Sequence, residues 1–259
     1  MKRYVMIGAP VTTVRTPALL TAHLHAIGVA ASIEARHVDP DDLGRWMAQA
    51  VADRTIDGLL VTMPHKRAML GHLAAISQVA RRAGSVNAAR RMADGRFVGA
   101  QFDGIALVRA LLARGMMLAG SRILLAGIGG AGLPIAQAIL AQGCAQLSIA
   151  DSDGLAVERA LADLAPSGPV GAAVPGLGTR HDILVNATPL GMRAGDASPF
   201  DEDQVRAAAC VADIVADPPR TRLADAARRA GIALVTGRDM VASQIEPIGA
   251  WLLADGLEQ

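Results

Sequence analysis

A lysine follows a short apolar run in the first third of the chain. The string VTMPHK ends in Lys66, at the point where the predicted strand DGLLVT should be ending. A lysine held in a dry site can transfer a proton, whereas a lysine in water is an ordinary surface charge. The residue type and its position allow both roles.

A glycine-rich loop lies in the second half of the chain. The string LLAGIGGAG has the G-x-G-x-x-G spacing, and it follows a predicted strand and opens a predicted helix. In this context the first glycine allows a tight turn, the second lets the backbone approach a pyrophosphate, and the third lets helix and strand pack closely. The helix N-terminus adds free N–H groups and partial positive charge. The alternative is a glycine-rich turn that binds no ligand. The predicted cofactor-binding residues of the loop are Gly127, Gly129, Gly130, Ala131 and Gly132.

An acidic residue ends the next predicted strand. Asp151, in the string IADSD, could accept hydrogen bonds from both hydroxyls of an adenosine ribose and would repel a 2′-phosphate. Neither Ser152 nor Asp153 is an arginine that would attract that phosphate. The sequence therefore favours NAD over NADP as the cofactor. The alternative is that Asp151 caps the following helix, although Asp153 is better placed for that role.

Strands and helices alternate around these residues. In the second half, the strings RILLAG, QLSIAD, DILVNAT, CVADIV and IALVTG are predicted strands separated by helix-like stretches such as TRLADAARRAG. Strands separated in this way build a parallel sheet that helices cover on both faces. The first hundred residues also alternate, with the strand RYVMIG, the helix PALLTAHLHAIGV and the strand DGLLVT. The final stretch, 238–259, is a predicted helix.

Composition excludes several kinds of partner. The chain has 259 residues, of which 52% are hydrophobic and 19% charged, as is typical of a globular α/β protein. Aromatic residues make up only 2% and the net charge is +1, so neither base stacking nor charge attraction favours nucleic acid or a membrane surface. Cys144, Cys210 and the histidines show no metal-ligand spacing, so no metal is expected. Because no stretch is long and apolar enough to span a bilayer, we expect a cytoplasmic protein. The sequence allows a homodimer without specifying one.

Seven motifs resemble the shikimate/quinate dehydrogenase family. In chain order they are DGLLVTMPHK, AGSVNA, GAQFDG, GIGGAG, NATPLGM, DIVADPPRT and GRDMVASQ. Each is moderately specific alone, but seven in the right order are hard to produce by accident. The resemblance implies a two-domain α/β protein. An α/β substrate domain would take residues 1–104 and be completed by a helix at 237–259. An NAD-binding Rossmann-type domain, with a doubly wound parallel sheet, would take residues 105–236.

The resemblance also implies roles for individual residues. Lys66 would pair with Asp103 and transfer the proton of the reacting hydroxyl. Burial disfavours a charged amine while a nearby carboxylate favours it, so such a pair can be tuned toward proton transfer near neutral pH. The plainer alternative is a surface lysine and a turn aspartate. Further implied positions are Thr62, Asn87 and Gln244 for the ring hydroxyls of the substrate, and Thr188, Ile214 and Gly237 for the nicotinamide half of the cofactor.

Three departures from the family pattern concern the substrate. Two serines that bind the substrate carboxylate in the family correspond to Val14 and Thr16, with Arg15 between them. Leu60 replaces an asparagine, and Ala216 replaces a tyrosine. Because aliphatic side chains cannot make the same hydrogen bonds, we predict a related acid, or an enzyme for which shikimate is a poor substrate. Arg15 could bind the carboxylate with two parallel hydrogen bonds, or it could point to solvent.

The predicted activity is therefore the reversible NAD(P)-dependent oxidation of a ring hydroxyl on a shikimate- or quinate-like acid, in aromatic amino acid biosynthesis or quinate metabolism. Two alternatives stay open. One is a dehydrogenase for an unrelated small carboxylate, which the departures make credible. The other is a non-catalytic sensor of nucleotide and ring acid. Lys66 and Asp103 argue against the sensor, since a sensor needs no proton transfer.

Overall fold

The computed structural model describes residues 1–11, 15–173 and 180–255. The chain divides into two compact units. The first consists of Met1–Asp103 and the segment that begins at Gln244, and the second of Gly104–Ser243. The predicted α/β class is confirmed. Within the described ranges, no helix has the length and apolar character needed to cross a membrane.

Strands and helices alternate along both units, apart from three short 3-10 segments. In chain order the elements are β1 (Lys2–Gly8), α1 (Thr16–Ala26), β2 (Ala31–His37), α2 (Leu43–Ala52), β3 (Gly58–Val61), β4 (Ala75–Ile76), α3 (Gln78–Ala83), β5 (Ala88–Arg91), β6 (Phe97–Ala100), α4 (Asp103–Ala113), β7 (Arg122–Ala126), α5 (Gly132–Leu140), β8 (Gln146–Ala150), α6 (Gly154–Leu164), β9 (Val170–Ala172), β10 (Ile183–Asn186), α7 (Glu202–Ala207), β11 (Cys210–Asp213), α8 (Arg222–Arg229), β12 (Ala233–Thr236) and α9 (Gly237–Leu253).

The sheet of the first unit is mixed. Its strand order is β2-β1-β3-β5-β6-β4, and β1 runs parallel to both β2 and β3. Strand β5 runs antiparallel to β3 on one side and to β6 on the other. The end of β3, the beginning of β5 and the end of β6 therefore lie at the same edge of the sheet. Side chains that follow β3 and β6, or precede β5, are brought together there.

Both faces of this sheet are covered by helices. Successive side chains of a strand point to opposite faces. Tyr4 and Met6 of β1 accordingly pack with residues of α1 and α9, whereas Val5 and Ile7 pack with residues of α2 and α3. The almost continuous apolar run of β1 is explained by this burial on both sides.

The sheet of the second unit is entirely parallel. Its strand order is β12-β11-β10-β7-β8-β9, which is the doubly wound order 3-2-1-4-5-6 read from the other end. The predicted Rossmann-type sheet is confirmed. The order reverses between β7 and β10, and dinucleotides bind beyond the carboxyl ends of the strands at such a point. Gly127 follows β7 directly, and Asn186 ends β10.

Candidate active site

Lys66 follows β3 in a turn whose backbone is fixed on both sides. The His65 amide donates to the Thr62 carbonyl at 3.0 Å, and the Val86 amide donates to the Lys66 carbonyl at 2.9 Å. The buried ring of His65 lies 2.7 Å, through Nε2, from the Val38 carbonyl. These three bonds hold the backbone of the turn that carries Lys66, and the Lys66 side chain is only 14% exposed.

The Lys66 ammonium group is paired with a buried carboxylate. Its Nζ donates to Oδ2 of Asp103 at 2.6 Å, and the Asp103 side chain is 5% exposed. Asp103 is the first residue of α4 and follows β6, so the sheet edge brings it to Lys66. A buried carboxylate is costly unless it is paired, and here an ammonium group provides the partner.

Two amides complete this cluster. Asn87, just before β5, donates through Nδ2 to Oδ1 of Asp103 at 3.1 Å and to Oε1 of Gln244 at 3.4 Å. Its Oδ1 accepts from the Phe102 amide at 2.9 Å, and this bond fixes which end of the Asn87 amide faces the carboxylate. Both carboxylate oxygens of Asp103 are therefore engaged, one by Lys66 and one by Asn87.

Two buried residues behind Asp103 escaped the sequence analysis. Oε1 of Gln101 accepts from the Asp103 amide at 2.8 Å, and Nε2 of Gln101 donates to Oγ of Ser85 at 2.8 Å. Both belong to motifs that carry the family resemblance, AGSVNA and GAQFDG. A glutamine two residues before an acidic residue at a strand end was the available signal, since its side chain can close a turn onto that residue's amide.

The other predicted substrate residues lie outside this hydrogen-bonded cluster. Thr62 is half-buried directly after β3, and its amide donates to the Ile7 carbonyl at 3.0 Å. Thr16 is buried at the start of α1, and Arg15 before it is exposed. Val14 lies outside the described residues.

The two remaining departures differ in their surroundings. Leu60 is 1% exposed and belongs to the same core cluster as Met6, Phe102 and Ile245. A leucine at this position therefore fills the core of the first unit. Ala216 lies half-buried in the loop after β11, in the second unit.

Three of the four glycines in the glycine-rich loop, Gly127, Gly129 and Gly132, lie in different environments. Gly127 has φ +92°, and a side chain there would meet the backbone of Ala187 and Thr188. A side chain on Gly132 would meet the carbonyl oxygen of Gly127. The first and third glycines are thus required by the fold itself. At Gly129 an added Cβ would meet no described atom within 4 Å, so the loop is open there, as a pyrophosphate would require.

The Asp151 carboxylate is bound by the protein's own backbone. Oδ2 accepts from the Ile128 amide at 2.8 Å, and Oδ1 accepts from the Asp153 amide at 3.1 Å and the Ser152 hydroxyl at 3.4 Å. Burial opposes ionisation, but these hydrogen bonds outweigh it, so the pKa of Asp151 lies below its ordinary value. Asp151 thereby ties the glycine-rich loop to the start of α6. The cap of α6 is Asp153, which accepts from the amide of Leu155 at 3.0 Å.

The loops after β10 and β11 are joined by buried polar groups. Oδ1 of Asn186 accepts from the Thr188 amide at 3.0 Å and the Thr188 hydroxyl at 2.7 Å. Nδ2 of Asn186 donates to Asp213 at 3.0 Å, and Asp213 also accepts from the Thr221 hydroxyl. The Ile214 amide donates to the Asn186 carbonyl at 3.1 Å. Thr188 and Ile214, both predicted cofactor positions, are held by this network.

Gly237 begins α9 in close contact with the loop after β11. A side chain there would meet the carbonyl oxygen of Ile214 and the amide of Ala216. Thr236 and Asp239 cap the helix reciprocally, since each side chain accepts from the other's amide, at 3.3 and 2.8 Å. Within the described ranges, no group of three or more His, Cys, Asp or Glu side chains could hold a metal ion.

Comparisons with known proteins identify the family. The family model of the shikimate dehydrogenase substrate binding domain matches residues 6–89. Shikimate dehydrogenase (NADP(+)) of Rubrobacter xylanophilus is 35% identical over 263 residues, which cover 96% of this chain and 90% of the relative. The corresponding protein of an Anaeromyxobacter species is 37% identical, covering 93% and 87%. The chain belongs to the shikimate dehydrogenase family.

Solved structures agree with the assignment. Shikimate 5-dehydrogenase of Thermus thermophilus, in complex with NADP(H) and shikimate, is 27% identical with a TM-score of 0.86, and the match covers 98% of this chain and 94% of that one. The 5-ketofructose reductase of a Gluconobacter species is also 27% identical, with a TM-score of 0.82 and coverage of 97% and 92%.

The prediction that NAD is favoured over NADP is wrong. The relatives of this family member are NADP(+) enzymes by name, and the solved Thermus protein contains NADP(H). The prediction assumed that the Asp151 carboxylate is available to a ribose. Its oxygens instead accept hydrogen bonds from Ile128, Ser152 and Asp153. The aspartate therefore has a structural role at this position, and its presence does not predict whether the cofactor carries a 2′-phosphate.

Proposed function

We propose that this protein catalyses the reversible NADP(+)-dependent oxidation of a ring hydroxyl on shikimate or a closely related cyclic hydroxy acid. The observation that carries the proposal is the buried pair of Lys66 and Asp103, 2.6 Å apart, with the amides of Asn87 and Gln244 around it. The names of the relatives support both the substrate class and the dinucleotide. The first unit would bind the substrate and the second the cofactor.

Lys66 would transfer the proton in both directions. When the ketone is reduced, its oxygen becomes an alkoxide, and the Lys66 ammonium group protonates it. When the alcohol is oxidised, the hydroxyl proton passes to the Lys66 amine. The Asp103 carboxylate holds the ammonium group in place and stabilises its charge, and positioned acid–base groups of this kind accelerate a reaction by roughly 10²–10⁴-fold.

The rarity of lysine supports a specific role for Lys66. The 25 Lys and Arg residues of the chain include only two lysines, Lys2 and Lys66. Arginine therefore supplies nearly all of the surface positive charge. Arginine stays protonated at any ordinary pH and cannot exchange a proton with a substrate, whereas lysine can. If position 66 needed only a positive surface charge, the composition of this chain predicts an arginine there rather than a lysine.

Asn87 and Gln244 would orient the ring. Oδ1 of Asn87 is committed to the Phe102 amide, and Oε1 of Gln244 accepts from Asn87. The Nε2 group of Gln244 is then the end available to a substrate hydroxyl. Thr62, after the same strand end as Lys66, is the third residue that we propose for the ring hydroxyls. We also assign Thr16 to the substrate.

The second unit has residues that fit a dinucleotide. The open backbone at Gly129, at the N-terminus of α5, would accept the pyrophosphate. The residues assigned to the nicotinamide half are Thr188, Ile214 and Gly237. When bound, the nicotinamide would supply the hydride acceptor and donor. The residues of this chain would hold the nicotinamide in place, and Lys66 would transfer the proton.

Turnover of a substrate panel tests the proposal. Purified protein is assayed by nicotinamide absorbance with shikimate and quinate, each with NADP(+) and with NAD(+). We expect turnover of at least one acid, with a higher kcat/KM for NADP(+). Lys66→Met should lower kcat by roughly 10²–10⁴-fold, while Lys2→Met should not change it. Lys2 is the matched control because its amine lies in an exposed ion pair with Asp57. Full activity of the folded Lys66→Met variant would refute the mechanism.

A second candidate is a reductase for a polyhydroxylated ketone without a carboxylate. The exposed Arg15 and the replaced serine at Val14 favour it, as does the likeness to a 5-ketofructose reductase. The panel therefore includes 5-ketofructose with NADPH. Turnover of this ketone together with failure on both acids would favour the second candidate. Arg15→Ala distinguishes the carboxylate role, because it should raise KM for the acids and leave KM for the ketone unchanged.

A further inference from the structure

A chain of buried hydrogen bonds stands behind the Lys66–Asp103 pair. It runs from Ser85 Oγ to Nε2 of Gln101 at 2.8 Å, and from Oε1 of Gln101 to the amide of Asp103 at 2.8 Å. The Asp103 carboxylate then accepts from Lys66 Nζ through Oδ2 at 2.6 Å and from Asn87 Nδ2 through Oδ1 at 3.1 Å. The first two members are 0% and 1% exposed, so they are more deeply buried than the pair itself.

We propose that Ser85 and Gln101 are positioning residues that fix the Asp103 carboxylate for its work with Lys66. The proposal rests on the function proposed above and adds two residues to its machinery. The bond between Ser85 and Gln101 and the bond between Gln101 and the Asp103 amide lead to Asp103, and through it to Lys66.

The Gln101 amide can do this because both of its ends are committed. Its carbonyl closes a turn onto the amide of Asp103, two residues later, and so fixes the backbone from which the carboxylate projects. Its NH₂ group donates to Ser85. Flipping the amide would place NH₂ against the Asp103 N–H donor, so that N–H sets which end of the Gln101 side chain faces it, and the bond to Ser85 holds the other end in place. A hydroxyl on a neighbouring strand connection thereby helps to hold the side chain that binds the first amide of α4.

Small displacements of such a carboxylate matter for proton transfer. A misplacement of about 1 Å in a catalytic arrangement can lower the rate by ~10²-fold. We therefore expect Gln101→Met, which preserves the length but removes the hydrogen bonds to Ser85 and to the Asp103 amide, to lower kcat by about 10–100-fold with a change in KM of less than about threefold. Ser85→Ala should lower kcat by about 3–10-fold, because it releases the NH₂ end of Gln101 without removing the bond to the Asp103 amide.

A double variant tests whether the two residues act through one chain. If Ser85 acts only through Gln101, adding Ser85→Ala to Gln101→Met should lower kcat no further, and the two effects will not multiply. The matched control is Gln78→Met, an exposed glutamine of the same unit, which should leave kcat unchanged. Independent, multiplying effects would overturn the proposed chain.

A spectroscopic measurement separates positioning from a general packing role. Because the chain has only two lysines, protein labelled with ¹³C-lysine gives just two sets of side-chain signals, from Lys2 and Lys66. Gln101→Met and Ser85→Ala should shift the Lys66 Cε signal and leave the Lys2 signal in place. An unmoved Lys66 signal in a folded variant, or an unchanged kcat, overturns the proposal. If Gln101→Met does not fold, Ser85→Ala alone decides by the same two measurements.

The outcome for this proposal is distinguishable from that of the proposed function. If Lys66→Met retains activity, the proton-transfer mechanism fails whatever the lysine signals show. If Lys66→Met is inactive while the folded Gln101→Met and Ser85→Ala variants keep full activity, only the positioning role fails. The NMR measurement needs no substrate, so it remains informative even if the substrate panel gives no turnover.

Discussion

Arg91 is expected to be one of the most important single side chains for the stability of the first unit. It ends β5, and its guanidinium N–H groups point at backbone carbonyls. The central carbon of the guanidinium group also lies 4.3 Å from the centre of the Phe97 ring. The five acceptors are the carbonyls of Ala50, Val51, Asp53, Ile56 and Gly95, at 2.6, 3.1, 2.8, 2.6 and 2.6 Å.

The expected loss can be worked out from these contacts. Three of the carbonyls lie in the last turn of α2 or just after it, where a helix leaves carbonyls without partners. Four of the five bonds are partly buried, and at ~1 kcal/mol each they contribute about 4 kcal/mol. The ring contact with Phe97 adds about 0.5–1 kcal/mol. Water will replace some of the lost bonds. Arg91→Met, which retains an apolar stem, should therefore lower the free energy of unfolding by about 3–5 kcal/mol.

Thermal and urea unfolding of the variant measure this change. For a chain of this size, a loss of about 3–5 kcal/mol lowers Tm by about 6–20 °C. The matched control is Arg96→Met in the neighbouring strand connection, because Arg96 is 66% exposed and pairs with Asp94 at the surface. It should cost less than about 1 kcal/mol. Activity at low temperature should survive in both variants, since Asn87 lies ~13 Å from Arg91 along the strand. Equal losses in the two variants would refute the reasoning.

Three further predictions concern the second unit. Gly237→Ala should lower the free energy of unfolding by at least about 2 kcal/mol in urea titrations, because its Cβ would meet the backbone after β11; an unchanged midpoint would contradict the observed packing. Burial raises the pKa of Asp213, so the stability that this group contributes is present at low pH and is lost as pH rises through the folded pKa. Asp213→Asn should accordingly gain stability relative to wild type as the pH rises above about 4, as urea titrations across a pH series would show. The pKa of Asp151 is lowered, so Asp151→Asn should cost about 1–2 kcal/mol at neutral pH, and its difference from wild type should shrink below about pH 4 in the same titrations.

The fold was predictable wherever the hydrophobic pattern reports burial directly. Strands buried on both faces, such as β1 and β7, appear as apolar runs and were predicted. The antiparallel pair β5 and β6 was not predicted from the sequence. Strand β5 ends in Arg90 and Arg91, and two adjacent arginines are typical of an exposed segment. Most of their hydrogen-bond partners are distant in the sequence, such as the Ala254 carbonyl for Arg90 and the Ile56 carbonyl for Arg91. The guanidinium group of Arg90 stacks on Trp251, and that of Arg91 on Phe97.

The candidate site was predictable to the extent that residue types identify it. Motif order placed Lys66, Asp103, Asn87 and Gln244 in one family pattern, and the four form one hydrogen-bonded cluster in the structure. Local spacing could not reveal why they meet, because this depends on β5 running antiparallel to β3 and β6. The antiparallel pairing of β5 and β6 also brings Ser85, before β5, to Gln101, after β6.

The error over the cofactor has a definite physical origin. An ionised carboxylate offers about four lone-pair positions, and the identity of the residue says nothing about how many the protein itself uses. In Asp151 three are used, by the Ile128 amide, the Asp153 amide and the Ser152 hydroxyl. Those bonds hold the glycine-rich loop against the start of α6, so selection for a well-formed loop can retain an aspartate whatever the dinucleotide. A carboxylate at the end of this strand indicates NAD only when its oxygens are available to the ribose hydroxyls. Their availability depends on the hydrogen bonds that the folded chain itself makes to the carboxylate.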